Sequence, residues 1–373
     1  MPDNHLFLIP GFFGFTNLGE LTYFGHVQRL LRTQLKARGL SAQIHVVATL
    51  PTATLPLRAQ ALHKAISERS REGDRVHLIG HSTGGLDARL LVSPNLVLPS
   101  GAAVEDIAAR VQSVLTLTTP HHGTPSAAFL SSVQGKPILK LLSLMTLLTL
   151  RQGRLPLRVL LKAGECVARA RERATGSLEL VDELYGTLLG QLSADRRQGL
   201  EQFLREVSED QSLLTQLTPD AMELFNATTP DRAGVAYGSV VARARRPMKR
   251  DLALAVPRPY RTASQAIFRG FYALAARGEA QDIKPPVASV MLKQWADLPR
   301  AQDNDGMVPT HSQVWGQVLR AVTADHLDVL GHYADPQGEP PHYDWLISGS
   351  GFRQDHFVAL WEDALSFLHP QMT

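Results

Sequence analysis

A serine flanked by glycines is the first feature of this sequence whose residue types and spacing could do chemistry. Residues 80–85 read Gly-His-Ser-Thr-Gly-Gly, so glycine stands two positions before and two positions after Ser82. An apolar run at residues 76–79 precedes the motif, and a helical pattern follows it. Glycine at both positions lets the backbone cross itself in a tight strand-to-helix turn, which presents the serine hydroxyl above the sheet. The motif predicts a nucleophilic serine, the alternative being a glycine-rich turn that merely contains serine.

A serine nucleophile needs a histidine to take its proton and a carboxylate to orient that histidine. Both partners are expected downstream, the acid before the base. The acid candidate is Asp305, in the turn-forming segment 304–306, and the base candidate is His326. Taken alone, Asp305 is also typical of an ordinary turn in which the carboxylate accepts backbone hydrogen bonds. The order of the three residues predicts acyl transfer through a covalent serine intermediate.

Other histidines compete for the role of base, because the chain contains 14 of them. The alternatives are His81, His121, His122, His311 and His356. His81 is adjacent to the nucleophile, and neighbouring side chains point in different directions, which favours packing over proton transfer. For the pair at 121 and 122, hydrogen bonding within a loop is favoured over a place in the pocket. His326 is preferred because of the residues that flank it.

The composition excludes several classes of protein. Apolar residues make up 44% of the 373 residues, charged residues 20%, and the mean hydropathy is −0.08. These values are typical of a folded globular chain and not of a disordered or collagen-like one. A net charge of +3, mixed in sign, does not predict nucleic acid as a partner. The single cysteine, Cys166, excludes an internal disulfide and a metal site with several thiolates.

No segment of the sequence has the features of a membrane span or an export signal. The most apolar stretch, residues 127–150, contains Lys136, Pro137 and Lys140. Its charge-free part, residues 141–150, is far shorter than the ~20 residues that a bilayer requires, so no transmembrane segment is predicted. The N-terminal residues enter a predicted strand at His5 without a charged or apolar leader. This indicates a cytoplasmic protein, with a secreted one as the alternative if a signal segment has been removed.

Strand and helix patterns alternate along most of the chain. Strands are predicted at residues 6–9, 44–48, 75–79, 111–118, 235–242 and 288–291, and helices at 24–38, 57–71, 83–91 and 355–368. Such alternation predicts an α/β protein with a mostly parallel sheet flanked by helices. Between residues 126 and 234 the strand signal nearly disappears, and leucine-rich helical patterns dominate. We predict a core formed by residues 1–125 and 235–373, the second part carrying the acid and the base, with residues 126–234 inserted as a helical cap.

The predicted cap contains a segment that is apolar all round, at residues 137–150. A helix of this kind must be covered. It is either a buried cap helix or a lid whose apolar face guards an acyl pocket, and both favour a lipophilic substrate. A basic stretch follows the strand at 235–242, with Arg243, Arg245, Arg246, Lys249 and Arg250. It is interpreted as a solvated loop, the alternative being attraction to an anionic interface.

With these residues in view, the chain resembles the bacterial triacylglycerol lipases of the α/β-hydrolase superfamily. The segments that carry the resemblance are residues 7–14, 80–89, 118–125, 304–309 and 325–331, with a weaker sixth at 217–226. The resemblance implies an α/β-hydrolase fold with a large helical cap or lid. It also implies a carboxylic-ester hydrolase, a triacylglycerol lipase or carboxylesterase, acting on a lipophilic ester at a lipid–water interface. By motif, Ser82, Asp305 and His326 carry over as the catalytic triad.

The oxyanion hole is expected from two backbone N–H groups, those of Thr83 and Phe12. Thr83 follows the nucleophile, and Phe12 lies in the loop after the first strand. The lipase family has His-Gly before the second donor, whereas this chain has Pro10 and Gly11. The turn is therefore similar but lacks the family's histidine.

The resemblance implies no organic cofactor, but it points to a structural calcium ion. Several relatives bind calcium through an acid two residues after the catalytic histidine and through a later Asp-Pro pair. Asp328 and the pair Asp335 and Pro336 match this pattern. Calcium requires several oxygen ligands, and carboxylates beside the loop of His326 would hold that loop in place. The alternative is that these residues are solvated surface acids.

Two other functions are compatible with the same motifs. A lipid acyltransferase or a phospholipase A would use the same acyl-enzyme with a different acceptor or ester. A catalytically silent scaffold that binds lipid through the cap is the alternative from another class of protein. The complete order of serine, aspartate and histidine counts against a silent scaffold.

Overall fold

The computed structural model describes residues 2–12, 23–132, 139, 145, 157, 159–163, 165, 210, 212–247 and 258–372. Most of the predicted cap, including nearly all of the apolar segment 137–150, lies outside the described residues, as do Lys249 and Arg250. The described ends of the cap region are helical. The boundaries at residues 126 and 234 remain predictions.

Six strands form one sheet in which every neighbouring pair is parallel. The strands are β1 (Asn4–Ile9), β2 (Gln43–Val46), β3 (Arg75–His81), β4 (Val111–Leu117), β5 (Ala236–Ala242) and β6 (Gln317–Val322). Their spatial order is β2-β1-β3-β4-β5-β6. The predicted α/β class with a parallel sheet is confirmed. Since the strands are parallel, their carboxyl ends meet at one edge, where ligands bind in open sheets of this kind.

Helices connect the strands and cover the sheet. They are α1 (Gly25–Ala37), α2 (Leu55–Arg69), α3 (Thr83–Val92), α4 (Glu105–Ala108), α5 (Pro125–Leu130), α6 (Ser212–Gln216), α7 (Pro219–Thr228), α8 (Arg258–Ala275), α9 (Pro285–Trp295) and α10 (Gln354–Met372). Two short 3₁₀ helices lie at Thr310–Gln313 and Asp328–Leu330. Within the described part of the chain, no helix combines the length and the hydrophobicity needed to cross a membrane.

The predicted strand at residues 288–291 is wrong, because these residues lie inside α9. Its apolar residues repeat with helical spacing, so that Val287, Val290 and Met291 share one face. That face packs against Val318 of β6. A short apolar run does not separate a strand from one side of a buried helix, which is why the sequence misled here. The strand that does follow, β6, was not predicted.

The core lies on both faces of the sheet, which explains the unbroken apolar run in the first strand. Leu6 and Leu8 of β1 face a cluster that contains Leu31 of α1. The alternate residues Phe7 and Ile9 face the opposite cluster, which also contains side chains of α2 and α3. Successive side chains of a strand point to opposite faces, so a strand covered on both sides must be apolar throughout.

A buried ion pair ties two helices to the loop after β1. Arg58 of α2 donates hydrogen bonds to both carboxylate oxygens of Asp87 in α3, the shortest at 2.7 Å, and both side chains are fully buried. Arg58 also donates to the carbonyl oxygen of Pro10 at 2.9 Å. Burial raises the pKa of Asp87 to about 6, although the charge of Arg58 opposes this shift. The pair therefore holds the loop after β1 close to the start of α3.

Replacing Gly84 by alanine should destabilise the fold more than the same change at a glycine where a Cβ would meet no other atom. A Cβ at Gly84 would lie 2.8 Å from the carbonyl carbon of Ile9 and closer still to its oxygen. We expect Gly84→Ala to lower the free energy of unfolding by about 3 kcal/mol through overpacking. Gly73→Ala is the control, because its Cβ meets nothing within 4 Å and only its positive φ of 87° is unfavourable. That strain costs roughly 1 kcal/mol.

Urea denaturation of both variants and the wild type measures these free energies. Equal losses at the two positions would show that the close approach of α3 to β1 does not depend on glycine.

Candidate active site

Ser82 lies between β3 and α3 in a backbone conformation that is rare for serine. Its φ is 54° and its ψ is −128°. Such a conformation costs about 1–3 kcal/mol and persists only where the surrounding structure imposes it. Here the Ser82 N–H donates to the carbonyl of Leu117 at the end of β4, at 2.9 Å, and the Ser82 carbonyl accepts from Gly85 N–H at 3.1 Å. The turn that the glycine spacing predicts is therefore present.

Three glycines leave room for this turn. A Cβ at Gly80 would collide with the backbone of Gly84 and Gly85, and a Cβ at Gly84 with the backbone of Ile9. A third close approach comes from the loop after β1, where a Cβ at Gly11 would lie 2.6 Å from the Cβ of Ser82. The first loop thus lies directly against the serine because Gly11 has no side chain.

The structure brings the three predicted triad residues together. His326 Nε2 lies 3.0 Å from Ser82 Oγ, and His326 Nδ1 lies 2.7 Å from Asp305 Oδ2. Ser82 and His326 are 8% and 5% exposed, whereas Asp305 is fully buried. The distances are those of a nucleophile bonded to its base and a base bonded to its orienting acid. The arrangement fits proton transfer from Ser82 to His326.

The carboxylate of Asp305 is fixed by donors on both of its oxygens. Oδ1 accepts from the N–H groups of Met307 and Val308, at 2.9 and 2.8 Å. Oδ2 accepts from Gln313 Nε2 at 3.2 Å in addition to facing His326. The backbones of the acid and the base are also joined, since His326 N–H donates to the Asp305 carbonyl at 3.0 Å. These bonds orient the carboxylate before any substrate is present.

The turn that holds Asp305 is fixed by contacts with the end of β5. Asp305 does not directly follow a strand but lies in a turn closed by a bridge between Asn304 and Pro309, ahead of β6. Ala244, just beyond β5, donates its N–H to the Asn304 carbonyl at 2.8 Å, which docks the turn onto the end of that strand. Gln313 is fully buried and joins the same turn to Ala242. No sequence motif surrounds Gln313, so its role could not be predicted.

A second set of hydrogen bonds links the first loop to the base. His81 is fully buried, with Nδ1 2.7 Å from the hydroxyl of Tyr23 and Nε2 2.8 Å from the carbonyl oxygen of His326. A carbonyl only accepts, so Nε2 carries the proton, Nδ1 accepts, and the Tyr23 hydroxyl donates. That hydroxyl in turn accepts from Gly11 N–H at 3.3 Å.

This chain of bonds requires a neutral His81. Burial lowers the pKa of His81 well below its ordinary value, and the nearby His326 acts in the same direction. Burial likewise raises the pKa of Tyr23, so its hydroxyl keeps its proton. His81 therefore positions the backbone of His326, and Tyr23, which lies in no sequence motif, completes the link to Gly11.

Two of the other candidate histidines, His121 and His311, have hydrogen-bond partners of their own. His121 is fully buried and contacts Thr116 Oγ1 at 3.1 Å and Arg89 at 3.2 Å. His311 lies within hydrogen-bond distance of the carbonyl oxygens of Gln281 and Pro299. Among the described residues, His326 is the one histidine within hydrogen-bond distance of Ser82 Oγ. His326 is the histidine that the structure places beside the nucleophile.

An apolar pocket opens next to Ser82. Its lining residues are Phe12, Tyr23, Ser82, Thr83, Pro120, Thr124, Ser126, Ala127, Leu130, Leu139, Leu214, Leu217, Met307, Val308, His326 and Leu327. Phe12 and Thr83, whose N–H groups are the expected oxyanion donors, thus lie on its wall. Thr83 is the first residue of α3, where the helix dipole favours negative charge. The pocket suits an apolar group whose reacting carbon lies near Ser82 Oγ.

A group of three carboxylates lies behind the loop of His326. The side chains of Asp325, Asp328 and Asp344 have oxygens within 4.8 Å of one another. Asp328 Oδ2 accepts from the Asp325 N–H at 2.8 Å and from Ser350 Oγ at 2.7 Å. Burial raises the pKa of Asp328 well above its ordinary value, and the charge of Asp325 adds to this.

The structure gives only partial agreement with the calcium ligands expected from the resemblance. Asp328 belongs to the carboxylate group, but Asp335 and Pro336 do not. The Asp335 backbone instead pairs with that of His342. Two oxygens of the group, Asp325 Oδ2 and Asp344 Oδ1, are buried without a hydrogen-bond partner among the described residues. Such orphaned carboxylate oxygens fit a cation.

Of the comparisons with known proteins, the one with solved structures supports the fold. No protein-family model matches this chain, and no curated protein sequence does. Solved structures do match. EstA from Clostridium botulinum is similar over 98% of this chain and 87% of its own, with 18% identity and a TM-score of 0.54. Staphylococcus hyicus lipase is similar over 99% and 96%, with 15% identity and a TM-score of 0.51.

A metagenomic carboxyl esterase is also similar, over 99% of this chain and 76% of its own, with 18% identity and a TM-score of 0.51. At these identities the likeness shows the fold alone. Together with the parallel sheet, it confirms the predicted α/β-hydrolase fold, and the predicted resemblance to bacterial lipases is confirmed at the level of that fold.

Removing the Tyr23 hydroxyl should destabilise the protein, because two buried groups lose their partner. In Tyr23→Phe, His81 Nδ1 and Gly11 N–H would lack the hydrogen bonds that they make in the wild type. We expect the free energy of unfolding to fall by about 1–3 kcal/mol. Tyr343→Phe is the matched control, since no hydrogen bond of that hydroxyl is found in the described structure, and should change it by no more than about 0.5 kcal/mol.

Guanidinium denaturation measures both values. A loss in Tyr23→Phe no larger than in Tyr343→Phe would mean that the link from Gly11 to His81 contributes nothing to the fold.

Proposed function

We propose that this protein is a serine carboxylic-ester hydrolase, a lipase or esterase that cleaves acyl esters of lipophilic substrates. The observation that carries the proposal is the continuous hydrogen-bonded chain from Ser82 through His326 to Asp305. Its Ser82 end opens into an apolar pocket. The order of the three residues in the sequence is that of α/β-hydrolase enzymes. Solved structures that share the fold include proteins titled lipase and carboxyl esterase, which supports the same class of reaction.

In the proposed mechanism, Ser82 Oγ attacks the ester carbonyl carbon while His326 Nε2 takes the hydroxyl proton. Asp305 holds the Nδ1–H of the ring and stabilises the imidazolium that forms. The tetrahedral intermediate collapses, the alkoxide leaving group takes the proton from His326, and an acyl-Ser82 ester remains. Water then attacks that ester with His326 again as base, which releases the acid and restores Ser82.

We assign the stabilisation of the negatively charged oxygen of each tetrahedral intermediate to the backbone N–H groups of Phe12 and Thr83. Both residues line the pocket beside Ser82, and Thr83 begins α3. Fixed donors of this type stabilise the transition state by roughly 3–4 kcal/mol each. Gly11 supports this assignment, because its lack of a side chain allows the loop of Phe12 to approach the nucleophile.

The acyl group of the substrate is assigned to the apolar pocket. Leu130, Leu214 and Leu217 form part of its wall, and no Asp, Glu, Lys or Arg is among the described residues that line it. Burial of each methylene group contributes about 0.8 kcal/mol, so a longer acyl chain should bind better as long as the wall continues. We therefore propose a preference for acyl chains longer than acetyl.

We also propose that a structural calcium ion binds the carboxylates of Asp325, Asp328 and Asp344. The orphaned oxygens of Asp325 and Asp344 and the closeness of three acids support this proposal. A bound cation would neutralise acids that burial disfavours as anions, and it would hold the loop of His326. It has no part in the chemical steps.

Loss of the Ser82 hydroxyl should abolish hydrolysis. We expect Ser82→Ala to lower kcat/KM on p-nitrophenyl esters by about 10⁴-fold or more, because no nucleophile remains. Ser93→Ala is the control, since Ser93 is a buried serine at the far end of the same helix and should keep activity within about threefold. Initial rates on esters from acetyl to palmitoyl provide the measurement.

In the same series the rate of the wild type should rise beyond the acetyl ester. Equal rates in Ser82→Ala and the wild type would remove Ser82 from the mechanism. A maximum at acetyl would leave the hydrolase proposal intact but contradict the assignment of the acyl chain to the apolar pocket.

Calcium should raise the thermal stability of the wild type and not that of a variant lacking one ligand. We expect millimolar calcium to raise Tm by about 5 °C relative to a chelator. Asp344→Asn should lose this shift, whereas Asp335→Asn should retain it, because Asp335 lies outside the carboxylate group. The proposal is contradicted if Tm does not respond to calcium, or if Asp344→Asn responds as the wild type does.

A further inference from the structure

A second cleft lies at the carboxyl edge of the sheet, beyond β5 and β6, and it is rich in arginine. Its volume is about 460 Å³, and its lining residues are Arg243, Ala244, Arg245, Arg246, Asp297, Arg300, Asp303 and Thr323. None of these residues lines the pocket beside Ser82. The cleft is thus a separate site, formed largely by the basic stretch that the sequence analysis interpreted as a solvated loop.

Two of the arginines are held in place by the acids of the cleft. Arg243 contacts Asp297 at 2.7 Å and Asp303 at 3.5 Å, and its guanidinium lies over the ring of Trp295 at 4.4 Å. Arg246 contacts Asp303 at 3.0 Å. Asp303 is only 5% exposed, so these contacts anchor two guanidinium groups on the floor of the cleft.

The other two arginines leave the cleft with an excess of positive charge. Arg245 and Arg300 are exposed, and in the described structure neither side chain makes a hydrogen bond. Four guanidinium groups therefore face two carboxylates. Guanidinium groups bind phosphate oxygens through paired N–H donors, and a concave site concentrates the field of its charges.

We propose that this cleft binds a phosphate group. Arg245 and Arg300 close on the phosphate oxygens, while Arg243 and Arg246 form a fixed positive floor. Among the described lining residues, arginines outnumber acids by two, which matches the charge of a phosphate dianion. The same chemistry is offered by a free phosphate compound and by the headgroup of an anionic lipid, and the experiment separates these two sources.

The test compares two double variants that remove the same total charge. Arg245→Gln with Arg300→Gln removes the two guanidinium groups that have no side-chain hydrogen bond, so the fold should be retained. Lys36→Gln with Arg71→Gln removes two exposed charges near the starts of β2 and β3, at the opposite edge of the sheet. Thermal unfolding of each variant verifies that it is folded.

Calorimetric titration with inorganic phosphate and flotation with vesicles provide the readouts. The vesicles contain phosphatidylcholine alone or with phosphatidylglycerol. We expect the wild type to bind phosphate, the cleft variant to bind at least about tenfold more weakly, and the control variant to stay within about twofold. Binding to phosphatidylglycerol vesicles but not to inorganic phosphate, again lost only in the cleft variant, identifies a lipid headgroup as the source.

Two results would overturn the proposal. One is the absence of binding both to phosphate and to the anionic vesicles. The other is an equal effect of the two double variants, which would show that overall charge rather than the cleft attracts the anion. Neither readout depends on ester hydrolysis, so a failure here is distinguishable from a failure of the proposed function.

Discussion

The conformation of Ser82 is the constraint on which the rest of the site depends. A φ of 54° is unfavourable for serine, and the local sequence contributes only the glycines that make the conformation sterically allowed. What imposes it is the packing of β1, β3, β4 and α3 around one turn. The buried pair of Arg58 and Asp87 ties α3 to α2 and to the loop after β1. Ser82 is therefore held in this conformation by three of the six strands together with the helix that follows it.

The partners of Ser82 are positioned mainly by backbone groups. Asp305 is held by two N–H groups of its own turn, and its carbonyl accepts from the backbone of His326. The carbonyl of His326 accepts from His81, the residue next to the nucleophile. These backbone bonds, together with the buried side chain of Gln313, keep Ser82, His326 and Asp305 at their separations. This is the preorganisation that a serine nucleophile requires.

In the loops at the carboxyl edge, residues close in sequence face different sites. Asp305 faces His326, whereas Asp303, two residues earlier, faces the arginine cleft. His326 faces Ser82, whereas Asp325 beside it belongs to the carboxylate group. The apolar pocket, the basic cleft and the acidic group have no described residue in common.

The elements whose signals are local could be predicted from the sequence alone. The glycine spacing around Ser82 predicted the turn, the alternation of strands and helices predicted the parallel sheet, and the flanking motifs singled out Asp305 and His326. Residues that act through distant contacts were decided only by the tertiary structure. Tyr23 and Gln313 have no motif, and their partners are brought near by folding. Residues 288–291 form a helix because their apolar face packs on β6, a contact that a short apolar run does not encode. Likewise, Asp344 rather than Asp335 joins Asp328, because the path of the loop after His326, and not the spacing of its acids, decides which carboxylates meet.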